Sequence, residues 1–345
     1  MEDARIRMNE QLGHAVALRR LLYGHLVSRA VCTAAELRLP ELLAGGPLSV
    51  GELARRCGAA PEPLGRVLRL LEQYGLFSRC PEGYGRTALG AALAEDAPGS
   101  ARPTAMILGA EFGDSFNALT STVRHGRAAF DELHGLPLFD YLAKNSEAAG
   151  ALHASQSSGI ALAAADLLDV VETEPGQTIV DVGGGHGSLL EAFLTARTGL
   201  SGILYDLPEV TLEAADRLAG LGERCATIGG DFFVSVPEGD LHLLRYVLHD
   251  WDEHDALAIL RSCRAAMRPG GRLLVVEHVL DLPEADAEHN RVAALFDVYM
   301  MLVTTGGRER TLPEFEALLA AADLRLARVV PLPTTGMSLL EAVSA

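Results

Sequence analysis

Thr178-Ile-Val-Asp-Val-Gly-Gly-Gly-His-Gly-Ser-Leu-Leu190 decides the fold, because a short β-branched run breaks there into glycines and then into an apolar helical pattern. This reads as a strand, a tight turn and a helix start. Gly183, Gly185 and Gly187 let the backbone turn sharply and keep Cβ atoms away from a bound ligand. The helix that begins near Ser188 aims its free N–H groups at the same place. Such a turn cradles a nucleotide-like cofactor. The dinucleotide fingerprint G-x-G-x-x-G is missed, since its third glycine falls on Ser188. Acidic-x-G-x-G-x-G fits instead, read as Asp181, Gly183, Gly185 and Gly187, the form used for S-adenosylmethionine. That ligand carries a sulfonium and an amino acid, with no pyrophosphate for a helix dipole to hold.

After this turn, strands are expected at Gly202 to Tyr205, Cys225 to Gly229, Leu241 to Tyr246 and Arg272 to Val279, with apolar-periodic helices between them. Alternation of this kind predicts a doubly wound parallel sheet of the α/β class. Leu324 to Val330 and Ser338 to Val343 are separated by Pro-Leu-Pro-Thr-Thr-Gly-Met, a hairpin, so an antiparallel strand joins the sheet. Before the turn the chain is helical. Leu12 to Leu43 fits two helices stopped by Gly45-Gly-Pro47, and Ser49-Val-Gly-Glu52 offers a capping box. Pro61-Glu-Pro63 opens another helix, and Tyr74 to Phe77 and Gly83 to Thr87 read as two strands around a turn. Helix, helix, hairpin is a winged helix. Its second helix offsets Arg66 and Arg69 with Glu62 and Glu72, which favours protein packing over DNA. The domains expected are therefore a winged-helix dimerisation domain over 1–100, a helical layer lining a pocket over 101–172, and a cofactor-binding catalytic domain over 173–345.

Composition narrows the partners. A formal net charge of −17 argues against nucleic acid, whose binding rests on Lys and Arg neutralising phosphates. Neither an apolar run long enough to span a membrane nor the basic and apolar regions of a signal peptide are seen, so the expectation is a soluble, cytoplasmic protein. The five cysteines are scattered and never in C-x-x-C, which argues against disulfides or a thiolate metal site.

The strand ends carry the chemistry. Asp206, in Tyr205-Asp-Leu-Pro208, falls about 20 residues after the glycine turn, where a carboxylate accepts ribose hydroxyls. Asp231 and Phe232 close the next strand and suit an adenine, though an ordinary loop acid beside core aromatics reads as well. Leu244-Arg-Tyr-Val-Leu-His-Asp-Trp-Asp-Glu-His-Asp255 is the densest polar cluster. It invites a metal, but Asp252 followed by Asp255 is a helix start that turns His254 outward, so no metal is expected. His249 stands where an open α/β sheet binds ligands. With Glu277 and Glu309 near other strand and loop ends to orient the imidazole, it has the make-up of a general base.

Taken together, Asp-Val-Gly-Gly-Gly-His-Gly187, Asp206-Leu-Pro, Gly230-Asp-Phe-Phe233, Leu248-His-Asp-Trp251 and Gly306-Gly-Arg-Glu-Arg-Thr311 make the chain resemble, over nearly its whole length, the plant caffeic-acid type of S-adenosylmethionine-dependent O-methyltransferases and their bacterial natural-product branch. The resemblance implies a class I, Rossmann-like methyltransferase sheet with a C-terminal antiparallel hairpin and a winged-helix homodimer. It implies S-adenosyl-L-methionine as cofactor, S-adenosyl-L-homocysteine as product, and a small aromatic acceptor. By the same resemblance Asp181, Gly183, Gly185, Asp206, Leu207, Asp231, Phe232 and Arg245 bind the cofactor. His249 is the base, Glu277 and Glu309 flank it, and Asp250, Met300, Met301 and Ser155 belong to the acceptor pocket. Ala151, Ser155 and Ser158 are small where plant relatives often carry large residues, so acceptor identity does not transfer. Two alternatives stand beside this reading: a repurposed enzyme on the same fold, and a ligand-sensing regulator built on the winged helix.

Overall fold

The computed structural model describes residues 2–345, with side chains from Leu12 onward. The chain divides into two compact units, the first ending at Ala110 and the second being Glu111–Ala345.

The first unit is mostly helical. Helices Glu2–Leu22 and Gly24–Glu36 are followed by Leu39–Leu42, Val50–Cys57 and Pro61–Gln73. Ser49 caps the fourth by accepting the N–H of Glu52, and prolines at its start suit the fifth. A hairpin of β1 (Phe77–Cys80) and β2 (Gly83–Arg86) completes the winged helix, and Leu48 bridges to Tyr84 beside it. The first wing strand starts later than the sequence suggested. Tyr74 and Gly75 belong to the end of the preceding helix, where Gly75 takes a φ of +78° and lets the Leu76 N–H return to the Leu71 carbonyl. Leu39, Leu53, Leu64, Leu68, Leu71 and Phe77 form the core of this unit. Along the first helix, by contrast, Leu12, Val16, Leu18, Leu21 and Leu22 are exposed, Leu21 to 77%.

The second unit begins with short helices from Glu111 to Lys144 and the 25-residue helix Ser146–Val170. A sheet follows, made of β3 (Thr178–Val182), β4 (Ser201–Asp206), β5 (Cys225–Gly229), β6 (Gly239–Arg245) and β7 (Met267–Glu277). Short strands β8 (Val279–Leu280) and β9 (Arg310–Thr311) pair with each other, and β10 (Leu324–Leu332) and β11 (Met337–Ser344) close the sheet. The order is β10-β11-β7-β6-β3-β4-β5. The five strands β3 to β7 run parallel, and β11 lies antiparallel between β7 and β10. Helices cover both faces, so the strands are apolar on both sides. On β7, Leu273 and Val275 pack with the Glu253–Ala266 and Leu312–Ala321 helices. Leu274 and Val276 point the other way, toward the Ser188–Ala196 helix. Each such side chain contributes about 1.5–3 kcal/mol by burial, so a one-residue slip of this strand is strongly disfavoured. No helix of the described residues is long and apolar enough to cross a membrane.

Candidate functional site

Chain order reverses between β3 and β6, neighbours whose connections leave in opposite directions along the sheet. A crevice opens at the carboxyl ends of strands at such a reversal, and the residues with the most polar chemistry are there. Gly183, Gly185 and Gly187 all take positive φ, between 57° and 73°. A Cβ on Gly183 would lie 2.9 Å from the Val247 side chain. Asp206 ends β4 and ties the turn down: its Oδ2 accepts the Gly185 N–H at 2.8 Å and its Oδ1 the Leu207 N–H at 2.7 Å. Leu207 itself is exposed. Asp181 lies beneath the turn, buried, with its Oδ2 lacking a hydrogen-bond partner. Burial, then the neighbouring Asp206 carboxylate, raises its pKa to about 7. A carboxylate oxygen in that position suits a cationic amino group.

Arg245 ends β6 on the other side of the crevice, 4.5 Å above the Tyr246 ring, and its Nε has no partner. Desolvation lowers its pKa, which nearby Tyr246, Glu277 and Asp181 partly offset. Asp231 receives the Phe233 N–H after β5, and Phe232 stands edge-on to Phe233 and Trp251. Phe232 also reaches the space beside Gly183, 3.7 Å from where a Cβ would be. The cavity over the glycine turn is lined by Asp181, Gly183, Gly185 and Arg245 on the sheet side and by His153, Gln156 and Ser157 of the Ser146–Val170 helix.

His249 lies in the single turn Leu248–Asp250 that follows β6. Its Nδ1 is 2.9 Å from Glu309 Oε1 and 3.7 Å from Glu277 Oε2. The β8–β9 pairing, Val279 opposite Arg310, is what brings Glu309 up to Glu277. Glu277 Oε1 accepts the N–H groups of Val247 and Leu248, so this carboxylate holds the backbone of the turn. The Asp297 carboxylate accepts the Glu309 N–H and fixes the loop. Among the described residues, Glu277 Oε2 and Glu309 Oε2 are buried without a hydrogen-bond partner. Burial raises both acids, Glu277 to about 7, with the Glu309 charge adding to the rise and His249 opposing it. Asp250, 3.7 Å from His249 Nε2, is likewise raised by burial to about 7.

Several residues of this centre were not singled out by sequence. Tyr246 takes a φ of +54°, unusual for a tyrosine, and its ring stacks on His249 at 4.9 Å and on Phe296 at 5.9 Å. Its hydroxyl bonds His278. Arg310 is fully buried and donates to the carbonyls of Leu248 at 2.8 Å and Trp251 at 2.9 Å and to Glu253 at 3.0 Å, clamping the turn that carries His249. The only hint in the sequence was its place beside Glu309 in Gly-Gly-Arg-Glu-Arg-Thr311.

The pocket residues are less gathered. Met300 is buried, its carbonyl accepting from Thr304, and Met301 is half-buried, both on the Ala287–Val303 helix. On the same helix Tyr299 packs against Phe112 and Phe116. Ser155 is half-buried on the Ser146–Val170 helix and does not line the cavity over the glycine turn.

Comparison with known proteins places the chain in a family. Residues 116–325 match the family of the O-methyltransferase domain, and residues 19–96 match the O-methyltransferase dimerisation domain. The chain is similar to the O-methyltransferase SfmM3 of Streptomyces lavendulae, with 39% identity over 95% of this chain and 100% of that one. It is also similar to the phenazine O-methyltransferase PhzM of Lysobacter antibioticus, with 39% identity over 94% of this chain and 95% of that one. Among solved structures, the S-adenosylhomocysteine-bound calicheamicin-biosynthesis methyltransferase CalO1 superposes with a TM-score of 0.85, at 32% identity and covering 97% of this chain and 99% of that one.

Proposed function

The chain belongs to the O-methyltransferase family and is an S-adenosylmethionine-dependent O-methyltransferase, and on that premise we propose that His249 is the general base that activates a phenolic hydroxyl of a small aromatic acceptor. The observation that carries this is the 2.9 Å contact between His249 Nδ1 and Glu309. A proton on Nδ1, held in the hydrogen bond to Glu309 Oε1, leaves the lone pair on Nε2 free to accept another.

The residues around the glycine turn fit the cofactor. Asp206 is taken to hold the ribose, Asp231 and Phe232 the adenine, and Gly183, Gly185 and the free oxygen of Asp181 the amino-acid end, with Leu207 and Arg245 bordering it. When bound, S-adenosylmethionine supplies an electrophilic methyl group on a sulfonium. The chain's own part is to align the acceptor oxygen and manage its proton. A phenol of pKa about 10 against a histidine near 6.5 makes full proton transfer uphill by roughly 5 kcal/mol. His249 therefore takes the proton as methyl attack proceeds, and Glu309 and Glu277 hold the imidazolium that forms. An aliphatic alcohol, several units less acidic, would be far harder, which is why the acceptor class is phenolic or enolic. Asp250, Met300, Met301 and Ser155 are assigned to the acceptor side.

Among relatives, names such as 3-amino-4-hydroxybenzoate 4-O-methyltransferase (36% identical) are consistent with a phenolic acceptor. The first unit is taken to form a homodimer through its N-terminal helices, in keeping with its match to a dimerisation domain. Incubation of the purified protein with methyl-labelled cofactor and a panel of phenols, enolised quinones and aliphatic alcohols tests the acceptor class. Label on phenolic oxygen supports it, and transfer confined to aliphatic alcohols overturns it.

A further inference from the structure

Beside the glycine turn, and apart from His249, three metal-ligating side chains come together from separate elements. His153 is on the Ser146–Val170 helix, His186 is within the turn and Glu213 is on the Pro208–Leu218 helix, and one ligand atom from each lies within 4.8 Å of the others. His186 Nε2 is buried with no hydrogen-bond partner among the described residues and stands 3.5 Å from Glu213 Oε2. The His153 and His186 rings meet edge to face at 4.5 Å.

We propose that His153, His186 and Glu213 form a site for a zinc-like divalent ion that latches the Ser146–Val170 helix onto the glycine turn and competes with cofactor binding. The ligand chemistry matches: two imidazoles and one carboxylate suit zinc, with water as fourth ligand. The geometry matches as well. Bonds of about 2.0–2.1 Å in a tetrahedron set neighbouring ligand atoms about 3.4 Å apart, close to the 3.5 Å between His186 Nε2 and Glu213 Oε2. The other two clusters are less suited. Asp252 already caps a helix by accepting the Asp255 N–H and His254 is bonded to Asp255, while His249, Glu277 and Glu309 are buried and hydrogen-bonded to one another or to backbone.

Competition follows from the room available. The cavity between His153, Gln156, Ser157 and the glycine turn is about 50 Å³, whereas pockets that hold ligands run to about 300 Å³ or more. Asp206, Asp231 and Phe232 lie outside that cavity, so it is the amino-acid end of the cofactor, beside Asp181 and Gly183, that needs the Ser146–Val170 helix to lift from the turn. An ion bound by His153 on one side and His186 on the other opposes that motion.

The test is calorimetric titration of the whole protein with zinc chloride, without cofactor and in a buffer that does not chelate, followed by titration of S-adenosylmethionine with and without zinc. One tight zinc per chain is expected, weakened at least tenfold in both His153→Ala and Glu213→Gln. Zinc should raise the apparent Kd for cofactor at least tenfold in the wild type and leave it unchanged in Glu213→Gln. Cobalt substitution should show no thiolate charge-transfer band, which separates this site from the cysteines. Zinc affinity unchanged from wild type in both variants overturns the site, as does loss of binding in His249→Ala instead. Zinc bound through these residues with unaltered cofactor affinity overturns the latch. The latch rests on the cofactor placement proposed above, but zinc binding is read without cofactor, so failure of that placement would show separately in Asp206 variants.

Discussion

Glu309 Oε1 lies 2.9 Å from His249 Nδ1, and among the described residues that carboxylate has no other side-chain hydrogen-bond partner. The pair therefore acts as a unit in which the acid fixes the tautomer and the ring does the chemistry. Replacing His249 by Ala or Gln is expected to lower kcat by about 10² to 10⁴ while leaving cofactor affinity nearly unchanged. The loss should shrink for more acidic phenols. Single-turnover rates across acceptors of graded acidity check this; equal rates in the two proteins would make His249 a structural residue.

Asp206 is expected to matter twice, for the ribose and for the turn, since its two oxygens already receive the Gly185 and Leu207 N–H groups. Asp206→Ala should weaken cofactor binding by about 2 kcal/mol or more. Asp206→Asn keeps one acceptor oxygen and should lose less. Undiminished affinity of the Ala variant in calorimetry removes Asp206 from the ribose site.

Arg310 positions His249 without touching the reacting atoms. Arg310→Met leaves the carbonyls of Leu248 and Trp251 without their donor, so stability should fall by about 2–4 kcal/mol in denaturant titration. In protein that remains folded, kcat should drop about tenfold or more while cofactor Kd holds, and Arg310→Lys should recover part of the rate. A rate unchanged in Arg310→Met would show that the clamp serves stability alone.

Glu277 gives a pH signature. Its folded pKa is raised from 4.5 to about 7, so the folded state binds more protons than the unfolded one between those values. Its contribution to stability is then greatest below pH about 4.5 and declines as pH rises, by at most about 3 kcal/mol, until it levels off above pH about 7. Glu277→Gln keeps an oxygen for the Val247 and Leu248 N–H groups and removes the titration. Its Tm relative to wild type should climb with pH across this window; a difference independent of pH would contradict the raised pKa.

The exposed leucines of the first helix should be covered in solution. Light scattering at micromolar concentration is expected to give the mass of two 36.6 kDa chains. Leu18→Glu with Leu21→Glu should weaken that association, because large exposed apolar patches are poorly tolerated on monomers. A wild-type monomer would end the proposal.

How much of this was legible beforehand depends on range. The glycine turn, Asp206 and the alternation of strands and helices are local patterns, and the sheet and its antiparallel addition follow the expected order. However, β6 stops at Arg245 before Tyr246 and β7 stops at Glu277, so that Val279, expected in the same strand, instead pairs with Arg310. The late start of β1 was missed because a glycine after a helix serves equally as cap or strand entrance. Arg310 and the stacking of Tyr246 on Phe296 were hidden for a different reason: their partners lie about 60 and 50 residues away, and nothing in local spacing reports a contact of that span. The histidine with its two acids was found only because each stands at a strand or loop end, where the sheet gathers side chains.

The insertion of β11 between β7 and β10 has a consequence for biosynthesis. The strand that fills this interior place, Met337–Ser344, follows every other strand in sequence. While a nascent chain is still being made, Leu273, Leu274, Val275 and Val276 sit on an open strand edge awaiting their partner. Apolar edges of that kind recruit other chains. The sheet therefore cannot close until residues 337–344 have emerged, and β7 is the edge most in need of chaperone cover in that interval.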